Sequence, residues 1–141
     1  MTAVIDTCVI IDVLQDRKPF SESAMEILLA VSNRELSGVL TAKAITDIFY
    51  ILQRSLHDAD AVKQQISKLF ILFDIEDTKG LDCRLALDSD MADFEDSVMS
   101  QTAKRINADF IVTRNLKDYK HSLVPAVSPE EFLSILKEQK Q

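Results

Sequence analysis

Apolar residues alternate along this chain in two distinct rhythms. Short unbroken apolar runs, of the kind that form strands buried on both faces, occur at Met1–Ile5, Leu36–Leu40, Leu72–Ile75, Asp109–Thr113 and Leu123–Val127. Between them lie longer segments with apolar residues every three or four positions. These predict helices over Thr7–Leu14, Ser21–Asn33, Ala44–Ser55, Ala59–Phe70, Gly80–Leu87 and Asp93–Ile106, and a last one after Ser128. Ser21 is the expected cap of the second helix, whose buried stripe would be Ala24, Ile27, Leu28 and Val31. Ile45, Ile48, Phe49 and Leu52 form the stripe of the third, and Val62, Ile66, Leu69 and Phe70 that of the fourth. Ser128, Pro129 and Glu131 make a capping box for the final helix. Strands alternating with helices predict a single α/β domain over residues 1–141: a three-layer α/β/α sandwich around a central, mostly parallel five-stranded sheet. In such sheets functional groups gather beyond the carboxyl ends of the strands.

Composition narrows the chemistry mainly by what is missing. The chain has 141 residues, 47% apolar and 28% charged, as expected of a soluble globular domain. No apolar run approaches the roughly 20 residues of a membrane span, and the N-terminus lacks the basic start of a signal peptide, so a cytoplasmic protein is expected. Cys8 and Cys83 stand alone, consistent with two buried, reduced thiols. With only Gly38 and Gly80, no glycine-rich phosphate loop exists. His57 and His121 have no metal-ligand spacing and read as surface loop residues. The net charge of −7 argues against broad electrostatic binding of nucleic acid. A local rim remains open, from Arg17, Lys18, Lys43, Arg54, Lys104, Arg105, Arg114, Lys117 and Lys120.

The acids carry the functional signal. Asp6 follows the first strand, Asp47 lies on the third helix, Asp93, Glu95 and Asp96 open the sixth, and Asp118 follows the fourth strand. Two carboxylates about 4 Å apart repel by roughly 4 kcal/mol at an effective dielectric near 20, so convergence of such groups points to a bound cation, and oxygen ligands alone suggest Mg²⁺ or Mn²⁺. Each acid also has a plain structural role open to it. Asp6 and Asp93 are natural helix caps, Asp47 lies off its helix's apolar stripe and can be a solvated or ion-paired residue, and Asn115 and Asp118 suit a polar turn. Asp93, Asp96, Ser97 and Ser100 share one helical face, with Glu95 turned the other way, making Asp96 the better ligand of the two. Thr113 can orient a neighbouring carboxylate through a hydrogen bond.

Taken in order, these pieces resemble the PIN-domain family, in particular the VapC-like toxins of toxin–antitoxin pairs. The matching segments are Val4-Ile5-Asp6-Thr7-Cys8-Val9, Ile45-Thr46-Asp47-Ile48-Phe49-Tyr50, Asp93-Phe94-Glu95-Asp96-Ser97, the run Ile111 to Tyr119, and Ser128-Pro129-Glu130-Glu131-Phe132-Leu133. The resemblance implies a Mg²⁺- or Mn²⁺-dependent endoribonuclease cutting single-stranded or structured RNA. Asp6, Asp47, Asp96 and Asp118 would be its catalytic, metal-binding acids, and Asp93, Thr113, Arg114, Asn115 and Lys117 would support them or hold substrate. It also implies a small antitoxin partner and a homodimer. The chain departs from the family pattern at Asn115, where many relatives carry an acid, and at Asp47, one methylene shorter than the common Glu. Those departures favour an alternative: a catalytically silent PIN-like module that binds RNA or a protein. A metal-dependent phosphatase is a third reading of Asp6-Thr7, disfavoured because a second Asp two residues on is missing and position 8 is Cys8.

Overall fold

The computed structural model describes residues 1–141. In chain order the elements are β1 (Thr2–Ile5), α1 (Thr7–Leu14), α2 (Ser21–Ser32), β2 (Ser37–Thr41), α3 (Ala42–Leu56) and α4 (Ala59–Leu72). There follow β3 (Asp74–Glu76), α5 (Gly80–Ala86), α6 (Phe94–Arg105), β4 (Phe110–Val112), β5 (Ala126–Val127) and α7 (Pro129–Gln139). The five strands form one sheet in the order β3-β2-β1-β4-β5, and every pairing is parallel. β1, the first strand made, is thus central, and the chain reverses direction across it: β2 and β3 lie on one side, β4 and β5 on the other. The crevice at such a reversal, beyond the strands' carboxyl ends, is where α/β folds place their sites.

Alternation along each strand splits the core in two. Ala3, Ile5, Leu40, Val112 and Val127 face a layer that holds buried residues of α1, α2, α3, α4 and α7. Val4, Val39 and Ile111 face the opposite way, onto Met99 and Ala103 of α6 together with Met91, Tyr119 and Val124. The result is the expected three-layer α/β/α sandwich, with a sheet parallel throughout. Gly38 is fixed by close approach: a Cβ there would meet Val31 Cγ2 at 2.7 Å and the Phe73 ring at 2.9 Å.

Several local expectations shift. Leu72 closes α4 and β3 begins at Asp74, because the apolar run Phe70–Phe73 is compatible with either a helix end or a strand and the helix continues through it. Phe70 turns outward, 55% exposed, although its spacing from Ile66 suggested an inward position. Ser21 is the first helical residue, not the cap: Phe20 holds the cap position without a side-chain bond. The two thiols are free but only half-buried. His57 and His121 are exposed as expected. With so few glycines, the chain turns out of its helices on other residues, and Asp16, Arg34, His57 and Asn107 all adopt positive φ. No helix is long and apolar enough to cross a membrane.

Candidate active site

The site lies beyond the carboxyl edge of the sheet, in an open cleft of about 520 Å³. Asp6 emerges from β1 at its floor. Its extended backbone ends the strand and caps α1 at once, with Oδ1 accepting from the Thr7 amide at 2.8 Å. Oδ2 accepts from the Thr113 hydroxyl at 2.7 Å and lies 3.6 Å from the Cys8 thiol. Thr113, fully buried just past β4, in turn accepts from the Asn115 amide at 3.0 Å. The carboxylate is therefore fixed in orientation but has no ion-pair partner, and Arg114 acts on it only through space. Burial raises its pKa above the ordinary carboxylate range, against the lowering effect of the Thr113 and Thr7 bonds. Burial, followed by the charge of Asp6, likewise pushes the Cys8 thiol up to about 11.

Asp96 faces the same cleft from the first turn of α6. Asp93 caps that helix, its Oδ1 accepting from the Asp96 amide at 2.9 Å. The side chain of Asp96 accepts at Oδ1 from the hydroxyl of buried Tyr119 at 3.1 Å. Its carboxyl is pushed up to about 6, first by burial and then by the charges of Asp6 and Asp93; Asp118 adds to the effect and the Tyr119 bond opposes it. The charges of Asp6, Asp93 and Asp118 thus all act on Asp96, and that of Asp93 acts on Asp6. Asp118 does so from an exposed turn, where its amide donates to Asn115 O at 3.0 Å, and it does not line the cleft, whereas Asn115 does. No group of three or more His, Cys, Asp or Glu side chains is arranged to hold a metal ion on its own.

The facing wall is different. Asp47 on α3 is paired 2.6 Å from Lys43 one turn earlier, and Lys43 reaches 3.3 Å across to Glu95 on α6. Glu95, the poorer ligand on helical geometry, nevertheless shares the cleft with Asp96 and ties its two walls together. Of the rim cations, Arg17, Lys43 and Arg54 line the cleft. Arg114 is committed elsewhere: it binds buried Asp12 through Nε at 2.6 Å and Nη2 at 3.0 Å, and stacks 4.0 Å from the centroid of Phe20. Arg105 is likewise bound to buried Asp82 at 3.0 Å. Lys117 is exposed and outside the cleft lining.

Sequence reasoning left out Tyr119 and Asp12 as parts of this arrangement, and offered Lys43 only as one of nine cations of a local rim. The Lys43–Asp47 spacing of one helical turn was a readable signal for the first wall. Asp12 gave none, since it lies in an otherwise apolar helix and its partner is 102 residues away.

Comparison with known proteins places this geometry in a wider setting. No curated protein sequence matches the chain. Among solved structures it is similar to a VapBC2 complex of Rickettsia felis bound to a promoter DNA fragment, at 13% identity and a TM-score of 0.67, covering 91% of this chain and 98% of that one. It is similar to the FitAcB complex of Neisseria gonorrhoeae at 17% identity and 0.67, over 91% and 98% of the two chains. VapC20 of Mycobacterium tuberculosis, a Sarcin–Ricin loop cleaving toxin, matches at 11% identity and 0.62, over 77% and 86%. At these identities the likeness concerns the fold. The family model described as the PIN domain matches residues 2–117, which span four of the five strands and the whole cleft, and the chain belongs to the PIN-domain family.

Proposed function

We propose that the cleft is the centre of a divalent-cation-dependent endoribonuclease that cuts single-stranded or structured RNA. One observation carries the reading. Three aspartates are buried in this protein, Asp6, Asp12 and Asp82. Asp12 and Asp82 each hold an arginine. Asp6 has only a hydroxyl, a thiol and an amide, and its neighbours Asp96 and Asp93 are acids. A buried charge without a partner is costly unless something supplies the missing cation.

The residues fit Mg²⁺ or Mn²⁺ in kind. Mg²⁺ keeps several waters and takes one or two carboxylates plus substrate phosphates, so a complete protein cage is not required. Asp6 and Asp96 would hold the ion, with Asp118 and Asp47 joining through water or orienting the attacking water. When bound, such a cation lowers the pKa of a coordinated water and offsets charge at the scissile phosphate. The chain's own contribution is positional. Thr113 and the Thr7 amide fix the Asp6 carboxylate. Tyr119, held protonated by burial and by the charges of Asp6 and Asp96, donates to Asp96, with Met99 Sδ as an alternative acceptor at 3.3 Å. Asn115 and the cleft's cations face the substrate. The VapBC2 neighbour and a toxin–antitoxin complex of Klebsiella pneumoniae support a toxin role with an antitoxin partner; an antitoxin lying across the cleft, a homodimer and action in the cytoplasm complete the proposal. The reading of a silent module draws support from Lys43, which already neutralises Asp47 and Glu95.

RNA cleavage assays with Mg²⁺, Mn²⁺ or EDTA separate the two. Asp6→Asn and Asp96→Asn each should abolish cation-dependent cleavage while circular dichroism stays unchanged. Cleavage retained by both variants refutes the assignment, and no cleavage by the wild-type chain with either cation favours the silent module.

A further inference from the structure

Lys43 breaks a local rule. It sits in the first turn of α3, where the helix dipole disfavours a cation and where no acidic residue is present. Its side chain is 34% exposed and spans the cleft, the ammonium bonded to Asp47 on one wall and reaching Glu95 on the other. Residues that violate a local preference concentrate at functional sites. The ion pairs do not explain its presence by stability alone, since half-exposed pairs of this kind contribute at most about 1 kcal/mol. Of the cation candidates after β4 and on α6, Arg114 is bound to Asp12 and Arg105 to Asp82, and Lys104, Lys117 and Lys120 lie outside the cleft lining. Arg17 and Arg54 also line the cleft, but Lys43 is the cation that is bonded to acids on both of its walls.

We propose that Lys43 is a phosphate-binding residue of this cleft: Asp47 and Glu95 hold its ammonium across the groove, and an RNA phosphodiester entering the groove replaces them as its partner. The inference rests on the ribonuclease reading and gives Asp47, beside its place at the cation site, the added role of positioning Lys43 until RNA is bound. Lysine is suited to such an exchange because its compact charge on a flexible stem carries three donors that can be re-aimed.

The test is binding, not cleavage. A short fluorescein-labelled single-stranded RNA is titrated against the full chain by fluorescence anisotropy, in EDTA and separately in Ca²⁺ to neutralise the acids, over a range of salt. Lys43→Ala should weaken binding roughly tenfold at low salt and reduce the slope of log K against log salt by about 0.7, the value of one lost single-strand phosphate contact. Lys43→Arg should restore both, and Lys63→Ala, on the exposed face of α4, should change neither. Asp47→Asn and Glu95→Gln should tighten binding severalfold, and that gain should vanish when Ala stands at position 43. A Lys43→Ala variant that binds with unchanged affinity and slope overturns the assignment even if the protein cleaves RNA. A gain from Asp47→Asn that persists without Lys43 reflects general loss of negative charge and overturns the exchange. Absence of RNA binding by the wild-type chain in either condition overturns both this role and the ribonuclease reading.

Discussion

Replacing Asp96 by Asn should make the cation-free protein more stable while removing its activity. In the folded chain the Asp96 carboxyl titrates near 6 rather than 3.8, chiefly because of burial and then of Asp6 and Asp93. That gap corresponds to about 3 kcal/mol at 1.36 kcal/mol per pH unit. Asp96 is only half-buried, so solvent screening reduces the figure to about 1–2 kcal/mol. Asn keeps an acceptor for the Tyr119 hydroxyl but loses a favourable charge at the N-terminus of α6, worth about 0.3–1 kcal/mol. The net gain is about 1 kcal/mol, or a rise in Tm of about 2–4 °C for a chain of this size. The sign with pH follows from the raised folded value. Below 3.8 both folded and unfolded forms are protonated and Asp96 costs nothing. Between 3.8 and 6 the unfolded form ionises first and the penalty grows; above 6 it is complete. Thermal unfolding in EDTA should therefore show Asp96→Asn more stable than wild type at pH 7.5 and equal to it at pH 4. Adding Mn²⁺ should raise the wild-type Tm more than that of the variant. An Asp96→Asn protein no more stable at pH 7.5, or a gain that does not shrink on acidification, refutes the electrostatic account of the site.

Three further changes test the scaffold. Gly38→Ala forces a methyl against Val31 and Phe73 and should cost about 1–3 kcal/mol in urea unfolding. Arg114→Ala leaves Asp12, which is fully buried, without its cation and should cost about 3–5 kcal/mol; Arg114→Lys should recover only part, since the bidentate fork and the stack on Phe20 are lost. Arg34→Gly relieves a left-handed backbone at φ 58 and should stabilise by about 1 kcal/mol, read as a higher Tm.

The sheet was legible because its strands are short apolar runs with helical spacing between them, and that contrast survives ignorance of tertiary contacts. It blurred where one apolar run served two elements, as at Ile71-Leu72-Phe73, and where a strand is only two residues long, as at β5. The aspartates after β1 and at the start of α6 could be found because capping and strand ends leave local marks; Asp6 and Asp93 do cap. What could not be read was which charges meet. Arg114 looked like a free rim cation because nothing near it in sequence accounts for it, and its partner Asp12 is hidden in Thr7-Cys8-Val9-Ile10-Ile11-Asp12. Glu95 and Asp96 differ by one position in a helical turn. Rotation alone suggested that only one faces the site, but the cleft is wide enough to take both.

That pairing pattern distinguishes the site from ordinary charge accommodation. This fold can neutralise a buried carboxylate when stability is all that matters: Arg105 and Thr102 hold Asp82 and lower its pKa against the opposing effect of burial. At Asp6 the same fold places a hydroxyl, a thiol and an amide, which fix direction without supplying charge, and then sets Asp96 where it raises the energy of both. Orientation has been kept and neutralisation left out. Arg114, in the loop just past Thr113, lies close enough that its field is felt at Cys8, yet it is turned to Asp12. The unneutralised pair is therefore a property of which acids the arginines hold, and it would disappear if Arg114 were turned towards Asp6.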